Sequence, residues 1–129
     1  MILRAAGEKI QGLASGFPAV VITGPRQSGK TTLAKNLFPD KPYIFLEDPD
    51  TRRFAEEDPR SFLGQYQDTG AIIDEAQYVP ELFSYLQGIL DQSNISGRFI
   101  LTGSQNFLTM ANPSHLPGEL ESYDFFPSQ

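Results

Sequence analysis

The chain has 129 residues, of which 40% are hydrophobic, 12% aromatic and 20% charged, and this is the composition of one globular domain. The sequence has no window near 18 uncharged apolar residues, and its first ten residues carry Arg4, Glu8 and Lys9, so we expect neither a membrane span nor a secretory signal. Zero cysteines and one histidine exclude disulfides and argue against a zinc cluster. We therefore expect a cytoplasmic protein.

The net charge of −6 is unevenly distributed along the chain. Residues 1–46 hold six Lys or Arg and two acids, a net +4, whereas residues 47–129 hold four Arg and fourteen acids, a net −10. We expect an anion to bind in the basic part. The acidic remainder argues against a nucleic-acid partner, because such a surface needs clustered cations to release counterions from phosphates.

Predicted helices and strands alternate along the chain. An amphipathic helix at 2–14 precedes an uncharged, β-branched strand, AVVIT at 19–23, and then a helix at 30–38. Further elements are a strand at 43–47, one or two short helices, a strand at 71–74, a helix after Pro80 and a strand at 98–102. The phenylalanines predicted to lie in the core are Phe45, Phe54, Phe62 and Phe83. This alternation predicts an α/β domain with a mostly parallel sheet.

Residues 24–31, GPRQSGKT, fit the phosphate-loop pattern G-x-x-x-x-G-K-[ST] between a predicted strand and a predicted helix. In such a loop backbone N–H groups surround a phosphate, Lys30 reaches the β- and γ-phosphates, and the Thr31 hydroxyl ligates Mg²⁺. The predicted nucleotide-binding residues are Gly24, Pro25, Arg26, Gln27, Ser28, Gly29, Lys30, Thr31 and Thr32. The alternative is a glycine-rich turn with a solvated lysine.

Residues 71–75, AIIDE, form an apolar strand that ends in two carboxylates. Beside a phosphate loop, Asp74 can hold the Mg²⁺ shell and Glu75 can polarise a water for attack on the γ-phosphate. The alternative is an ordinary acidic exit from a sheet.

Residues 98–105, RFILTGSQ, form a strand that runs into small polar residues. Ligands of open α/β sheets bind at the carboxyl ends of strands, so Thr102 or Ser104 is predicted to sense the γ-phosphate. The alternative is a plain turn.

Several motifs together resemble the prokaryotic ATPases of the AAA superfamily whose ATPase module precedes a C-terminal domain of unknown function. The matching segments are GPRQSGKTTLA at 24–34, EDP at 47–49, DP at 58–59, IIDEAQYVPEL at 72–82 and RFILTGSQNFL at 98–108. The resemblance implies a three-layer P-loop NTPase fold with the phosphate-loop strand central, ATP and Mg²⁺ as ligands, and Asp74 and Glu75 as the carboxylate pair. A homo-oligomer through this module is a further expectation.

The resemblance stops near residue 112, so we predict an incomplete ATPase core at 1–112 and a tail at 113–129 outside the family pattern. Family members continue with a Gly-Arg segment and an apolar fifth strand. One choice of codons for residues 119–129 reads one nucleotide out of frame as VGILRLLPFA, and we hypothesise that the tail is frameshifted and the chain truncated. The fifth strand is then missing, and the strand at 19–23 becomes an exposed edge.

These residues favour an ATP-binding and ATP-hydrolysing module with Lys30, Glu75, Thr102 and Ser104 in catalytic roles. The alternative is a non-hydrolysing nucleotide-binding or interaction fragment of a longer ATPase, which the unusual tail favours. A kinase or GTPase is a weaker interpretation because no N-K-x-D motif follows the loop.

Overall fold

The computed structural model describes residues 2–25, 29–91, 98–104 and 120–124, which form parallel strands with helices on both faces of the sheet. The helices are α1 (Ile2–Gly16), α2 (Lys30–Leu37), α3 (Pro49–Glu57), α4 (Pro59–Gly64) and α5 (Leu82–Asp91), with a 3-10 turn at Ala76–Tyr78. The strands are β1 (Ala19–Thr23), β2 (Tyr43–Phe45), β3 (Ala71–Asp74), β4 (Phe99–Gly103) and β5 (Leu120–Asp124). None of the described helices combines the length and apolar character that a membrane crossing requires.

The strand order is β2-β3-β4-β1-β5, and every neighbouring pair is parallel. The predicted α/β fold with a parallel sheet is confirmed, and the phosphate-loop strand β1 lies inside the sheet between β4 and β5, whereas the middle strand is β4. Parallel neighbours need crossover connections, which α2, α3 with α4, and α5 provide between the consecutive strands from β1 to β4. The carboxyl ends of β1, β3 and β4 therefore lie at the same end of the sheet.

The tail takes the position beside β1 that the sequence analysis expects to be vacant. β5 pairs with β1 in parallel from Ala19 opposite Leu120 to Thr23 opposite Asp124. This corrects the expected loss of a fifth strand and the expected exposure of β1 as an edge. The physical reason is that a ladder uses backbone groups, which a strand outside the family's apolar pattern also provides. The domain boundary at 112 and the frameshift stay predictions.

Two apolar clusters cover the two faces of the sheet. One face packs on α1 and α2 through Ala6, Ile10, Ala14, Val20, Ile22, Leu33, Ala34, Ile72 and Ile100. The other packs on α3, α4 and α5 through residues that include Ala55, Phe62, Leu63, Leu82, Phe83 and Leu86. Because side chains alternate across a strand, residues of even number in β1, β3 and β4 face α1 and α2. Asp74 and Thr102 belong to that set.

The segment after β2 differs from its prediction because capping competes with the strand. β2 ends at Phe45, two residues early, and Asp48 accepts a hydrogen bond from the backbone N–H of Thr51 as the N-cap of α3. The expected burial of Phe45 and Phe54 is wrong, since they are 38% and 40% exposed. Phe45 lies on the edge strand of the sheet, where no further strand covers it.

The turn before β3 yields a stability prediction. Gly70 has φ +72°, and a Cβ placed there would lie 1.7 Å from the carbonyl oxygen of Arg98, which accepts a hydrogen bond from the N–H of Ala71. Gly70→Ala should therefore lower the free energy of unfolding by roughly 3 kcal/mol or more, through backbone strain and a displaced strand pair. Urea denaturation measures the change.

Gly64→Ala is the matched control, because a Cβ on Gly64 meets no atom within 4 Å and Gly64 lies in α4. Equal midpoints for Gly70→Ala and Gly64→Ala would contradict the prediction.

Candidate functional site

The phosphate loop lies between β1 and α2, the helix that packs on the sheet through Leu33 and Ala34. Gly24 follows β1, and its N–H donates to the carbonyl of Gly103 at 3.2 Å, so β1 and β4 leave the sheet side by side. Gly29 has φ 98°, a left-handed conformation that glycine adopts without steric cost, and it starts α2. The helix N-terminus therefore faces the loop, where its dipole favours an anion.

Lys30 is the first residue of α2 and is 2% exposed. Its Nζ donates to the carbonyl of Pro25 at 2.9 Å, so the ammonium lies against the loop backbone. Thr32, two residues after Lys30, is exposed on α2. The remaining predicted loop residues, Arg26, Gln27 and Ser28, lie outside the described residues.

Three hydroxyl groups surround the carboxylate of Asp74, which is 3% exposed at the end of β3. Thr31 donates to Oδ1 at 2.9 Å, Thr102 also donates to Oδ1, and Tyr43 donates to Oδ2 at 2.5 Å. The donors come from α2, β4 and β2. A buried carboxylate is costly unless hydrogen bonds compensate it, and these donors provide that compensation.

The contact between Thr31 and Asp74 joins the two predicted halves of the metal site. Both residues present oxygen atoms, and hydroxyl and carboxylate oxygens are the ligands that Mg²⁺ prefers, with water completing the octahedron. The donor set therefore fits Mg²⁺ by its chemistry. These two residues are also the ones that the sequence analysis selects for the metal.

Glu75 follows β3 in a conformation that is unusual for a residue with a side chain, with φ 60° and ψ 49°. Its backbone N–H donates to Oγ1 of Thr102 at 3.0 Å, and its Oε1 accepts from Nε2 of Gln77 at 2.5 Å. The side-chain Oε1 of Gln77 is buried without a hydrogen-bond partner. Left-handed backbone at a non-glycine residue costs about 1–3 kcal/mol and is concentrated at functional sites.

The structure brings Thr102 into the site and leaves Ser104 at its border. Thr102 is fully buried and bridges Asp74 and Glu75. Ser104 is half-buried directly after β4. That either residue senses a γ-phosphate stays a prediction.

Sequence reasoning missed Tyr43 and Gln77. Burial raises the pKa of Tyr43 above its usual value, and the hydrogen bond to Asp74 and the charges of Asp74 and Glu75 raise it further. The phenol therefore stays protonated and remains a donor. The position of Gln77, two residues after Glu75 in the same motif, is a signal that the sequence already contains. No such signal exists for Tyr43, because its contact with Asp74 depends on the parallel register that places Phe45 opposite Asp74.

Comparison with known families identifies the family to which this chain belongs. The family model described as AAA domain matches residues 16–129. The chain belongs to the AAA domain family. The matched range runs through the tail residues 113–129, and it contains the loop, the carboxylate pair and every strand of the sheet.

Two curated relatives of this AAA domain are the uncharacterized proteins Mb2031c of Mycobacterium bovis and Rv2008c of Mycobacterium tuberculosis. Each is 37% identical over 105 residues, which is 78% of this chain and 23% of the relative. The chain thus spans about a quarter of the length of the curated relatives it matches.

Solved structures support the fold. A DNA replication initiation factor superposes with a TM-score of 0.59 at 17% identity, over 95% of this chain and 44% of that one. A signal transduction ATPase with numerous domains from Pyrococcus horikoshii, which carries a tetratricopeptide repeat sensor, gives a TM-score of 0.55 at 18% identity, over 92% of this chain and 22% of that one. These likenesses support the P-loop NTPase fold.

The double contact of Thr102 yields a prediction. Thr102→Val removes the hydroxyl and leaves both the carboxylate of Asp74 and the N–H of Glu75 short of a buried partner, so the free energy of unfolding should fall by about 2–4 kcal/mol. Thr102→Ser keeps the hydroxyl and should cost only about 1 kcal/mol for the lost methyl group. Thermal denaturation of the two variants compares them, and a loss in Thr102→Val no larger than the loss in Thr102→Ser would contradict the stabilising role of the hydroxyl.

Proposed function

We propose that this AAA domain binds ATP with Mg²⁺ and hydrolyses it. The observation that carries the proposal is the 2.9 Å hydrogen bond from Thr31 to Asp74, because it joins the phosphate loop and the acidic strand end in one site. The isolated motifs allow a solvated turn and an ordinary strand exit. Their direct contact, with Lys30 buried at the start of the same helix, favours the nucleotide site.

The residues take separate roles in this proposal. Backbone N–H groups of the loop and the start of α2 bind the phosphates, and Lys30 exchanges its contact with the Pro25 carbonyl for the β- and γ-phosphates. Thr31 and Asp74 would hold Mg²⁺, which would supply neutralisation of the phosphate charge. Glu75 accepts a proton from the attacking water. Thr102 positions Asp74 and Glu75, and Ser104 remains the candidate for contact with the γ-phosphate.

A second candidate function is nucleotide binding without turnover. The Oε1 atom of Glu75 is engaged by the amide of Gln77, and a carboxylate oxygen that already accepts a hydrogen bond is a weaker base for water. On this alternative the site binds nucleotide and a partner or a further segment completes catalysis. For the whole protein we further propose a cytoplasmic location and assembly into a homo-oligomer through the ATPase module.

Lys30→Ala tests the proposed nucleotide site. The substitution removes the main positive charge aimed at the β- and γ-phosphates, so affinity for Mg·ATP should fall at least about tenfold. Isothermal titration calorimetry of the 129-residue chain measures it. Lys9→Ala, an exposed lysine on α1, is the matched control and should bind as the unsubstituted chain does. Equal affinities for the two variants, or no heat with the unsubstituted chain, would contradict the proposal.

Glu75→Gln separates hydrolysis from binding. The amide keeps the shape of the side chain but cannot take a proton from water, so ATP turnover should fall by about 10² to 10⁴ while Mg·ATP affinity stays within a few-fold. Phosphate release and calorimetry measure the two quantities. If the unsubstituted chain binds Mg·ATP and releases no phosphate, the alternative of binding without turnover holds. A loss of affinity that equals the loss of turnover would show that Glu75 serves in binding.

A further inference from the structure

The edge strand β2 contributes to the Asp74 cluster a side chain that the proposed mechanism does not use. The hydroxyl of Tyr43 donates to Oδ2 of Asp74 at 2.5 Å, whereas Thr31 and Thr102 both donate to Oδ1. Among the described residues, Tyr43 is therefore the side-chain donor on the Oδ2 side. The carboxylate is held at both oxygens and from three different elements.

The ring of Tyr43 is itself restrained by two neighbours. Nζ of Lys35 lies 3.8 Å from the ring centroid, and the ring of Phe45 stacks beside it with a centroid distance of 6.4 Å and an interplanar angle of 17°. Lys35 belongs to α2, the helix that begins at Lys30 and carries Thr31. Tyr43 is 38% exposed, and these two ring contacts restrict its rotamers, so its hydroxyl stays in one place at a smaller entropic cost.

We propose that Tyr43 is a positioning residue for the magnesium site. A carboxylate held at Oδ1 alone can rotate about its Cβ–Cγ bond, and the hydrogen bond from Tyr43 to Oδ2 fixes that rotation so that Oδ1 faces Thr31. This inference rests on the proposed function, because it concerns the metal that ATP brings. Small displacements of a ligand group weaken a metal or catalytic site substantially, so a residue that fixes the carboxylate contributes to the affinity without touching the nucleotide.

A purely structural role for Tyr43 makes a different prediction. If the hydroxyl only compensates a buried charge, its removal lowers stability and leaves the Mg²⁺ dependence of nucleotide binding as it was. If the hydroxyl positions the carboxylate, its removal weakens the part of the affinity that depends on Mg²⁺. The two roles are therefore separated by comparing affinities with and without the metal.

The experiment measures ADP affinity by calorimetry in excess Mg²⁺ and again in EDTA. Tyr43→Phe keeps the ring and its contacts with Lys35 and Phe45 and removes the hydroxyl. We expect its affinity to fall about tenfold in Mg²⁺, the size of one lost hydrogen bond to a charged group, and to stay unchanged in EDTA. Tyr85→Phe is the matched control, because Tyr85 is exposed to the same extent, 37% against 38% for Tyr43, but lies on α5 beside Arg60 on the other face of the sheet. It should match the unsubstituted chain in both conditions.

Two results would overturn the role of Tyr43 while leaving the proposed function intact. One is an unchanged Mg²⁺ dependence in Tyr43→Phe, whether affinity is retained or falls equally in Mg²⁺ and in EDTA. The other is tighter binding in Mg²⁺, which would mean that the hydroxyl competes with the metal. If the unsubstituted chain binds no ADP in either condition, the proposed function falls and the role of Tyr43 falls with it.

A double-mutant cycle with Asp74→Asn tests whether the effect of Tyr43 acts through the carboxylate of Asp74. The inference places the effect of Tyr43 on the charged carboxylate, so Tyr43→Phe should change the Mg²⁺ dependence in the parent chain and have little effect in the Asp74→Asn background. Thermal denaturation of each variant establishes that it is folded before its affinity is compared. A Tyr43→Phe effect of the same size in both backgrounds would overturn the inference.

Discussion

The carboxylate of Asp74 is buried between α2, β2 and β4, and a charge in that position requires hydrogen-bond donors from each of its neighbours. Thr31, Thr102 and Tyr43 supply them, and each contact fixes one element relative to β3. The phosphate-loop helix is thereby held against the acidic strand end. The same requirement that keeps the buried charge stable also assembles the candidate nucleotide site.

The parallel sheet explains why the phosphate loop, the carboxylate pair and Thr102 meet at the carboxyl end of the strands. β1, β3 and β4 run in the same direction, with Ile22 opposite Thr102 and Ile73 opposite Leu101, so their carboxyl ends coincide. The loop after β1, the carboxylate pair after β3 and Thr102 near the end of β4 are then neighbours. Glu75 leaves its strand in a left-handed conformation, and the bond from its N–H to Thr102 holds it there. Strain at the exit of β3 is thus offset by contacts within the site.

The tail shows that a strand outside the family's apolar pattern can still pair with the sheet through its backbone. β5 is the edge strand beside β1, and its sequence LESYD is more polar than the buried strand AVVIT of β1. It still pairs along the whole of β1, whose N–H and C=O groups would otherwise be left without a strand partner on that side. The AAA domain match also runs through this segment. Sheet completion and family membership therefore extend beyond the stretch in which the motifs are recognisable.

The sequence by itself determined the alternation of elements, the parallel sheet and the residues at the centre of the site, because these follow from local patterns: a β-branched run before GPRQSGKT and an apolar strand that ends in Asp74 and Glu75. Only the tertiary structure decided that β5 lies beside β1, that Phe45 is exposed on an edge strand and that Tyr43 reaches Asp74. Each of these depends on which strands are neighbours. Strand order and register are long-range properties, set by the packing of both faces and by backbone groups that all residues share, and no local pattern encodes them.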